Sequence, residues 1–433
     1  MPRLTDPIAI GDCRIENRLY RAPLLECAGN NPDTVDRLIA ELVPAAEAGA
    51  GLIFQGASIV TSESGCAAPN MTRVHDPAFV RSLESLPEQI ASHGSRIFMQ
   101  LAHGGLRSLE TWNHAYQASH PDLHQLAVSR PPRILRLLDR LGFLNLNPRV
   151  LSTADVYSLT DAFGQAAGAA VDAGYHGIHI AGANMGIVEQ FCSPYYNRRD
   201  DEFGAEGDGP RLRFLEVLHD AIRDRVGSGT PIVTKIPAET AAPRIVRPRL
   251  RLADGVAIAE ACEAVGFDAV VPVTGTGFWD ASIVRGAYPG RAWNDRRFTE
   301  EYDRVFGGPV RRRLIGLANR LQARRFSEVH AWNIEFCRQA KAAVDIPVLA
   351  EGGIRSTEQI QSLLTSRDCD MVGMGRPFYA EPRLPARLLG ETQARALCES
   401  CNNCTIPQVT GANGVCRTPS VLKRRAQMQR KDN

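Results

Sequence analysis

No stretch of the 433 residues is long and apolar enough to cross a bilayer, and the N-terminal MPRLTDPIAIGD carries no apolar leader core. The expectation is a cytoplasmic chain without membrane contact. Charge of one sign is scarce as well. Fifty Lys and Arg against 48 Asp and Glu leave a net +2, which excludes a dedicated nucleic-acid binder. No G-x-G-x-x-G fingerprint opens a βαβ unit near the N-terminus, and no repeat shorter than a βα unit is visible. Cysteine is present in an odd number, eleven, and seven of these residues are scattered singly, which fits reduced thiols better than a disulfide framework. Apolar content of 44% and charged content of 23% are those of an ordinary globule.

What is present is organised around residues 346–378, IPVLAEGGIRSTEQIQSLLTSRDCDMVGMGRPF. A short apolar run followed by glycines reads as a buried parallel strand and its loop. Gly352 and Gly353 let backbone approach a ligand, and Ser356 with Gln359 has capping-box spacing for a helix start. Residues 371–374 repeat the strand, and Gly375-Arg376 offers a guanidinium that forks onto phosphate oxygens. Two consecutive strand ends with backbone donors predict the phosphate site of a (β/α)₈ barrel after strands seven and eight.

The rest of the chain supplies the other strands. Residues 7–17 predict a hairpin turning at Gly11-Asp12 that plugs the barrel. Strands are expected over 19–24, 51–60, 96–102, 177–183, 231–236 and 269–274, with helices over 35–48 (Thr34 as N-cap), 155–173, 253–265 and 334–344. This alternation predicts an α/β fold, a (β/α)₈ TIM barrel over residues 1–390, followed by a Cys-rich extension over 391–433. Two insertions, 106–151 and 279–326, fall on the C-terminal face. Their basic-apolar segments, RPPRILRLLDRLGF and RRRLIGLANRLQARR, read either as lids with a basic rim or as solvated helices packing on the barrel wall.

GYHGIHIAGA at 174–183, EQFCSP at 189–194 and NRRDDEFG at 197–204 resemble the Old Yellow Enzyme family of FMN-dependent oxidoreductases. IENRLYRAPL, MQLAHGG, the GGI loop and VGMGRPF are similar to the same family in the same order, over roughly residues 5–390. The resemblance implies FMN across the barrel mouth and NAD(P)H as co-substrate. It sets Pro23 and Leu24 against the flavin ring, Leu25 where the family tunes the flavin, and Ala57 at the pyrimidine side. It also assigns Gln100 to the ring carbonyl and nitrogen, Lys235 to the N1 side in place of the family's usual arginine, and Gly352, Gly353, Gly375 and Arg376 to the phosphate. A fixed cation near N1 stabilises charge that accumulates on reduction.

The substrate clamp departs from the family pattern. Ala181 stands where the family has histidine, Asn184 holds the second position, and Gly186 replaces the usual tyrosine proton donor. His179 shares a strand face with Ala181, so it is either a replacement imidazole or a core histidine. Tyr195, Tyr196 and His103 are further rim candidates.

Cys398-x₂-Cys401-x₂-Cys404-x₁₁-Cys416 suits a tetrahedral metal or a cubane cluster. It resembles the [4Fe–4S] motif of the family's 2,4-dienoyl-CoA reductase and trimethylamine dehydrogenase branch. Zinc and plain reduced thiols stand as alternatives. Only seventeen residues, with a basic tail, follow Cys416, so any further electron carrier is expected to be a separate protein or free nicotinamide. The expected function is hydride transfer among NAD(P)H, FMN and a small organic substrate, either an activated alkene or, in the oxidative direction, an amine or alcohol. The competing readings are an electron-transfer subunit and a non-catalytic flavin scaffold.

Overall fold

Strands buried on both faces read as unbroken apolar runs, yet alternation still divides their side chains between two surroundings. Leu52 and Phe54 enter a cluster inside the barrel, while Ile53 between them joins the cluster under the surrounding helices. Phe98 likewise points inward, and Ile97, Met99 and Leu101 point outward. The structure, a computed structural model, describes residues 1–204, 211–239, 248–275 and 280–430. Trp279, at the start of the second predicted insertion, and the last three residues of the basic tail lie outside the described residues.

The strands are β1 (Ile8–Ile10), β2 (Cys13–Ile15), β3 (Leu19–Arg21), β4 (Leu52–Ile59), β5 (Arg96–Ala102), β6 (Gln125–Ala127), β7 (Pro148–Val150), β8 (Gly177–Ile180), β9 (Ile232–Glu239), β10 (Ala269–Gly275), β11 (Leu349–Glu351) and β12 (Met371–Met374). Eight of them pair in parallel in the order β10-β9-β8-β5-β4-β3-β12-β11. The Val270 amide donates to Pro347 O at 3.0 Å and brings the two ends together. The chain is therefore the expected (β/α)₈ barrel. The antiparallel β1–β2 hairpin closes its bottom, with Ile10 and Ile15 inside the central cluster.

Local expectations hold with adjustments. β5 and β12 have the expected bounds, whereas β8 ends three residues early, at Ile180. A Cβ on Gly182 would lie 2.0 Å from Lys235 O, so the chain crosses the neighbouring strand there instead of continuing beside it. Asp33, not Thr34, occupies the N-cap position of helix Thr34–Glu47; the Thr34 hydroxyl instead accepts from Asn31 N at 2.8 Å. Ser356 caps its helix by accepting from Gln359 N, but the Gln359 side chain accepts from Arg355 N, one residue earlier than a capping box requires.

The insertions build over the C-terminal ends. The first contains the β6–β7 pair and helix Arg133–Arg140, and the second contains helices Thr299–Phe306 and Pro309–Arg325. Rather than lying on the barrel wall, they meet above it. Trp293, Tyr302 and Phe306 pack with Trp112 of the first insertion and with Ile406 and Val409 of the cysteine-rich segment.

Below this lid, one buried ion cluster sets the path of the chain after β3. The Arg21 guanidinium, 1% exposed, donates to Glu26 at 2.9 Å and to Glu41 at 2.8 Å, and Glu26 also accepts from Gly56 N at 3.1 Å. Burial raises both carboxyls above their ordinary range, against the pull of the shared guanidinium. Arg21→Met would strand two carboxylates in the interior. It should cost about 3–5 kcal/mol of stability, read from the urea unfolding midpoint. A loss under about 1 kcal/mol would show that the cluster does not hold this segment.

Candidate functional site

The residues that follow each strand converge on one cavity of about 890 Å³ at the C-terminal ends of the barrel. Pro23, Leu24 and Leu25 enter from the turn after β3, Ala57 from β4, Gln100 from β5 and Lys235 from β9. Gly352 and Gly353 follow β11, and Gly375 and Arg376 follow β12. Every cofactor-binding residue expected from the sequence therefore faces this space, as do Ala181, Asn184 and Gly186.

The turn after β3 comes so close to β4 that a Cβ on Gly56 would lie 2.1 Å from Leu24 O. Leu25 is held from the other side, because its carbonyl accepts from Tyr379 Oη at 2.9 Å and from Gln408 Nε2 at 2.7 Å. Two strands along the barrel, after β11, Gly352 and Gly353 have φ of +108° and +75°, and a Cβ on Gly353 would lie 2.2 Å from Val329 O. Only glycine leaves this loop open toward the cavity.

Lys235 is 5% exposed and forms an ion pair with Glu351, at the end of β11. The second Glu351 oxygen is buried without a partner. The sequence reading missed Glu351; its position before Gly352-Gly353, at the mouth end of a strand, was the available signal. Gln100 Nε2 lies 3.2 Å from His179 Nδ1, and the His179 ring stacks on Phe54 with centroids 4.2 Å apart. His179 does not line the cavity. It is a core histidine beneath Gln100, which corrects the expectation that it could replace the missing imidazole. Burial and the nearby Lys235 charge hold it well below the ordinary histidine range.

Tyr195 and Tyr196 also stay out of the cavity, packed with Leu106 and Leu144 in the first insertion. The loop after β8 is held by the EQF motif instead. Glu189 accepts from Met185 N at 2.6 Å, and Gln190 Nε2 donates to Gly104 O and Met185 O. These bonds hold two successive left-handed residues, Asn184 (φ +71°) and Met185 (φ +66°). The Asn184 Oδ1 atom is buried without a partner at the cavity wall, and Arg107 donates to the Asn184 carbonyl. Arg107, which the sequence reading passed over, is a cavity-lining cation whose pKa burial lowers, while Glu189 and Asp280 pull it back up.

Arg376 faces two ways. Its guanidinium donates to the Asn402 side chain and, at 2.7 Å, to Arg285 O, while the residue lines the large cavity. It also lines a second space of about 20 Å³, shared by Cys398, Cys401, Cys404 and Cys416. Burial pushes the Cys404 thiol up to about 12, with Arg376 opposing and the other three cysteines adding to the rise. Cys401 Sγ lies 2.9 Å from Thr418 Oγ1. Among the described residues, no three His, Cys, Asp or Glu side chains are grouped to hold one metal ion.

The fold and site together define a (β/α)₈ barrel with a cofactor-sized cavity on its active face and a four-thiol pocket against it. The chain belongs to the NADH:flavin oxidoreductase / NADH oxidase family, whose profile matches residues 3–271. It is 26% identical to an NADH oxidase of Thermoanaerobacter brockii over 96% of this chain and 57% of the relative. It is 24% identical to a cinnamate reductase of Clostridium sporogenes over 92% of this chain and 54% of the relative. Among solved structures, 6-hydroxypseudooxynicotine amine oxidase from Pseudomonas geniculata N1 superposes with a TM-score of 0.72 at 20% identity, over 98% of this chain and 55% of that one. The chain thus spans somewhat more than half the length of these relatives.

His103 lines the cavity, but both of its nitrogens are committed. Nδ1 accepts from Gly105 N at 3.0 Å, so the proton sits on Nε2, 3.3 Å from Ser64 Oγ. Burial lowers its pKa to about 3. The unfolded chain, at about 6.5, takes up the second ring proton first. The stabilisation is therefore complete above pH 6.5 and lost as pH falls toward 3, by about 1.4 kcal/mol per unit. The stability gap between wild type and His103→Gln should narrow by about 1–2 kcal/mol from pH 7 to pH 5 in urea unfolding. A constant gap would place a charged imidazole in the folded state.

Proposed function

We propose that this protein is an FMN-dependent oxidoreductase of the Old Yellow Enzyme type. The carrying observation is the convergence of Pro23, Leu24, Gln100, Lys235, the Gly352-Gly353 loop and Gly375-Arg376 on one cavity. The residues suit FMN chemically. The open glycine loop and Arg376 would hold its phosphate, and apolar Pro23, Leu24 and Ala57 would lie along its ring. Bound there, FMN supplies hydride exchange between NAD(P)H and an organic substrate. Gln100 would offer its amide to the ring, oriented by His179 beneath it. Lys235 holds a positive charge at the cavity floor, and Glu351 fixes the direction of its ammonium group.

The four cysteines would hold a [4Fe–4S] cluster, which supplies one-electron transfer. The four thiols line one small space, and their spacing is similar to that of the family's cluster-bearing branch. Arg376 and Tyr379 belong to the walls of both cavities. This shared wall favours a second reading, in which electrons pass between the flavin site and a separate redox partner.

Anaerobically purified protein should show resolved flavin bands and about four iron and four sulfide per chain. Rapid reduction by NADH or NADPH in stopped flow supports the enzyme, whereas reduction only by a partner protein supports the second reading. Bound flavin that accepts no electrons would leave a scaffold, and stoichiometric zinc would remove the cluster.

The substrate clamp generates a further expectation. Ala181 offers no donor, and a missing oxyanion donor typically costs about 2.7–4 kcal/mol, or roughly 10²–10³ in rate. Gly186 offers no proton, and general-acid catalysis typically contributes ~10²–10⁴-fold. The two losses fall on one transition state and need not add. Cyclohexenone should therefore be reduced slowly, while Ala181→His/Gly186→Tyr should raise the rate. A Cβ at Gly186 has room, its nearest contacts being 3.4 Å away. Wild-type turnover that the double variant leaves unimproved would show that another residue fills the clamp.

A further inference from the structure

Helix Arg133–Arg140 of the first insertion and helix Pro309–Arg325 of the second stand together at the cavity mouth. Leu138 from one and Leu314, Ile315 and Ala318 from the other line that mouth. The two insertions touch, since a Cβ on Gly142, just past the first helix, would lie 2.6 Å from Arg311 Nη2. Their outer faces are unusually apolar. Val310 is 68% exposed, Leu314 49%, Leu317 56% and Leu321 56%, and Leu137 and Leu141 across the mouth are 49% and 59% exposed. Spacings of four, three and four residues put Val310, Leu314, Leu317 and Leu321 on one stripe of the helix. A leucine in the core of a protein is buried; six large apolar residues exposed around one opening mark a contact surface.

The flanking charge identifies what covers it. Helix Pro309–Arg325 carries six arginines and no acidic residue, and Arg133 and Arg140 are exposed on the shorter helix. Asp139 beside them accepts from Leu146 N at 2.8 Å. A leucine stripe bordered by arginines is the composition of a helix that lies in the plane of a bilayer interface. We infer that this collar docks on an anionic lipid surface, with the leucines in the headgroup boundary and the arginines against lipid phosphates. A second copy on the same face would set arginine cluster against arginine cluster, which opposes self-association there. Among the described residues, no helix is long and apolar enough to cross a membrane, so the contact is peripheral. Both helices contribute to the cavity wall, so the cavity lies beside the docked surface.

Flotation of the purified full chain with vesicles of phosphatidylcholine alone and of phosphatidylcholine with phosphatidylglycerol tests this. Binding to the anionic vesicles is expected, weakened by salt, and reduced about tenfold or more in Leu317→Asp/Leu321→Asp. Neither side chain lines the cavity, so the circular dichroism and cofactor content of the variant should match wild type. No binding to anionic vesicles, or binding that the double substitution leaves unchanged, overturns the proposal. A wild-type dimer in sedimentation that the same substitution dissolves, without vesicle binding, would assign the stripe to a second copy and overturn it equally.

Discussion

One guanidinium, buried where β3 ends, determines the floor of the active face. Arg21 satisfies two carboxylates at once, Glu26 five residues on and Glu41 in the first outer helix, while Glu26 reaches the amide of Gly56 in β4. An uncompensated charge in the interior costs several kcal/mol, so all three groups must meet or none can be buried. Their meeting leaves the four residues between Arg21 and Glu26 a single path over Gly56, which carries no side chain to obstruct them. Pro23, Leu24 and Leu25 face the cavity for that reason. Tyr379 and Gln408 then grip Leu25, tying the floor to the short helix Arg376–Ala380 after β12 and to the cysteine-rich segment.

The same economy of polar contacts joins the two cavities. Arg376 follows the β12 glycine, lines the flavin-sized cavity and bonds Asn402 in the middle of the cysteine motif. Asn402 in turn donates to Val284 O at 2.8 Å, and Asn403 accepts from Ala292 N, so the thiol pocket is anchored in the second insertion. Arg355 adds a bond to Ser400 at 2.9 Å. The barrel, the lid and the thiol segment are consequently one packed body around the cavity. A change at any of these hydrogen bonds should be felt on both sides of the shared wall.

The insertions give the barrel its individual character. Aromatic packing of Trp293, Tyr302 and Phe306 with Trp112 roofs the site, and the outer faces of the same segments carry the exposed leucines. Ala181 and Gly186 face the same cavity as that roof, together with Arg107 and Asn184.

The sequence alone determined the barrel, because double burial writes each strand as an apolar run bounded by glycine or polar residues. β5 and β12 could be read to the residue on that basis. It also determined the glycine loops and the cysteine spacing, since open backbone and clustered thiols are local properties. Partner choice was not local. Lys235 meets Glu351 across 116 residues, and Arg376, while lining the cavity, bonds Asn402 in the cysteine segment. His179 had the right strand face for the site, but Gln100 on the neighbouring strand and Phe54 one strand further keep it in the core. Alternation decides only which way a side chain points. How far along the barrel axis it sits, and which charge it finds there, follow from the register between strands, which only the closed tertiary structure sets.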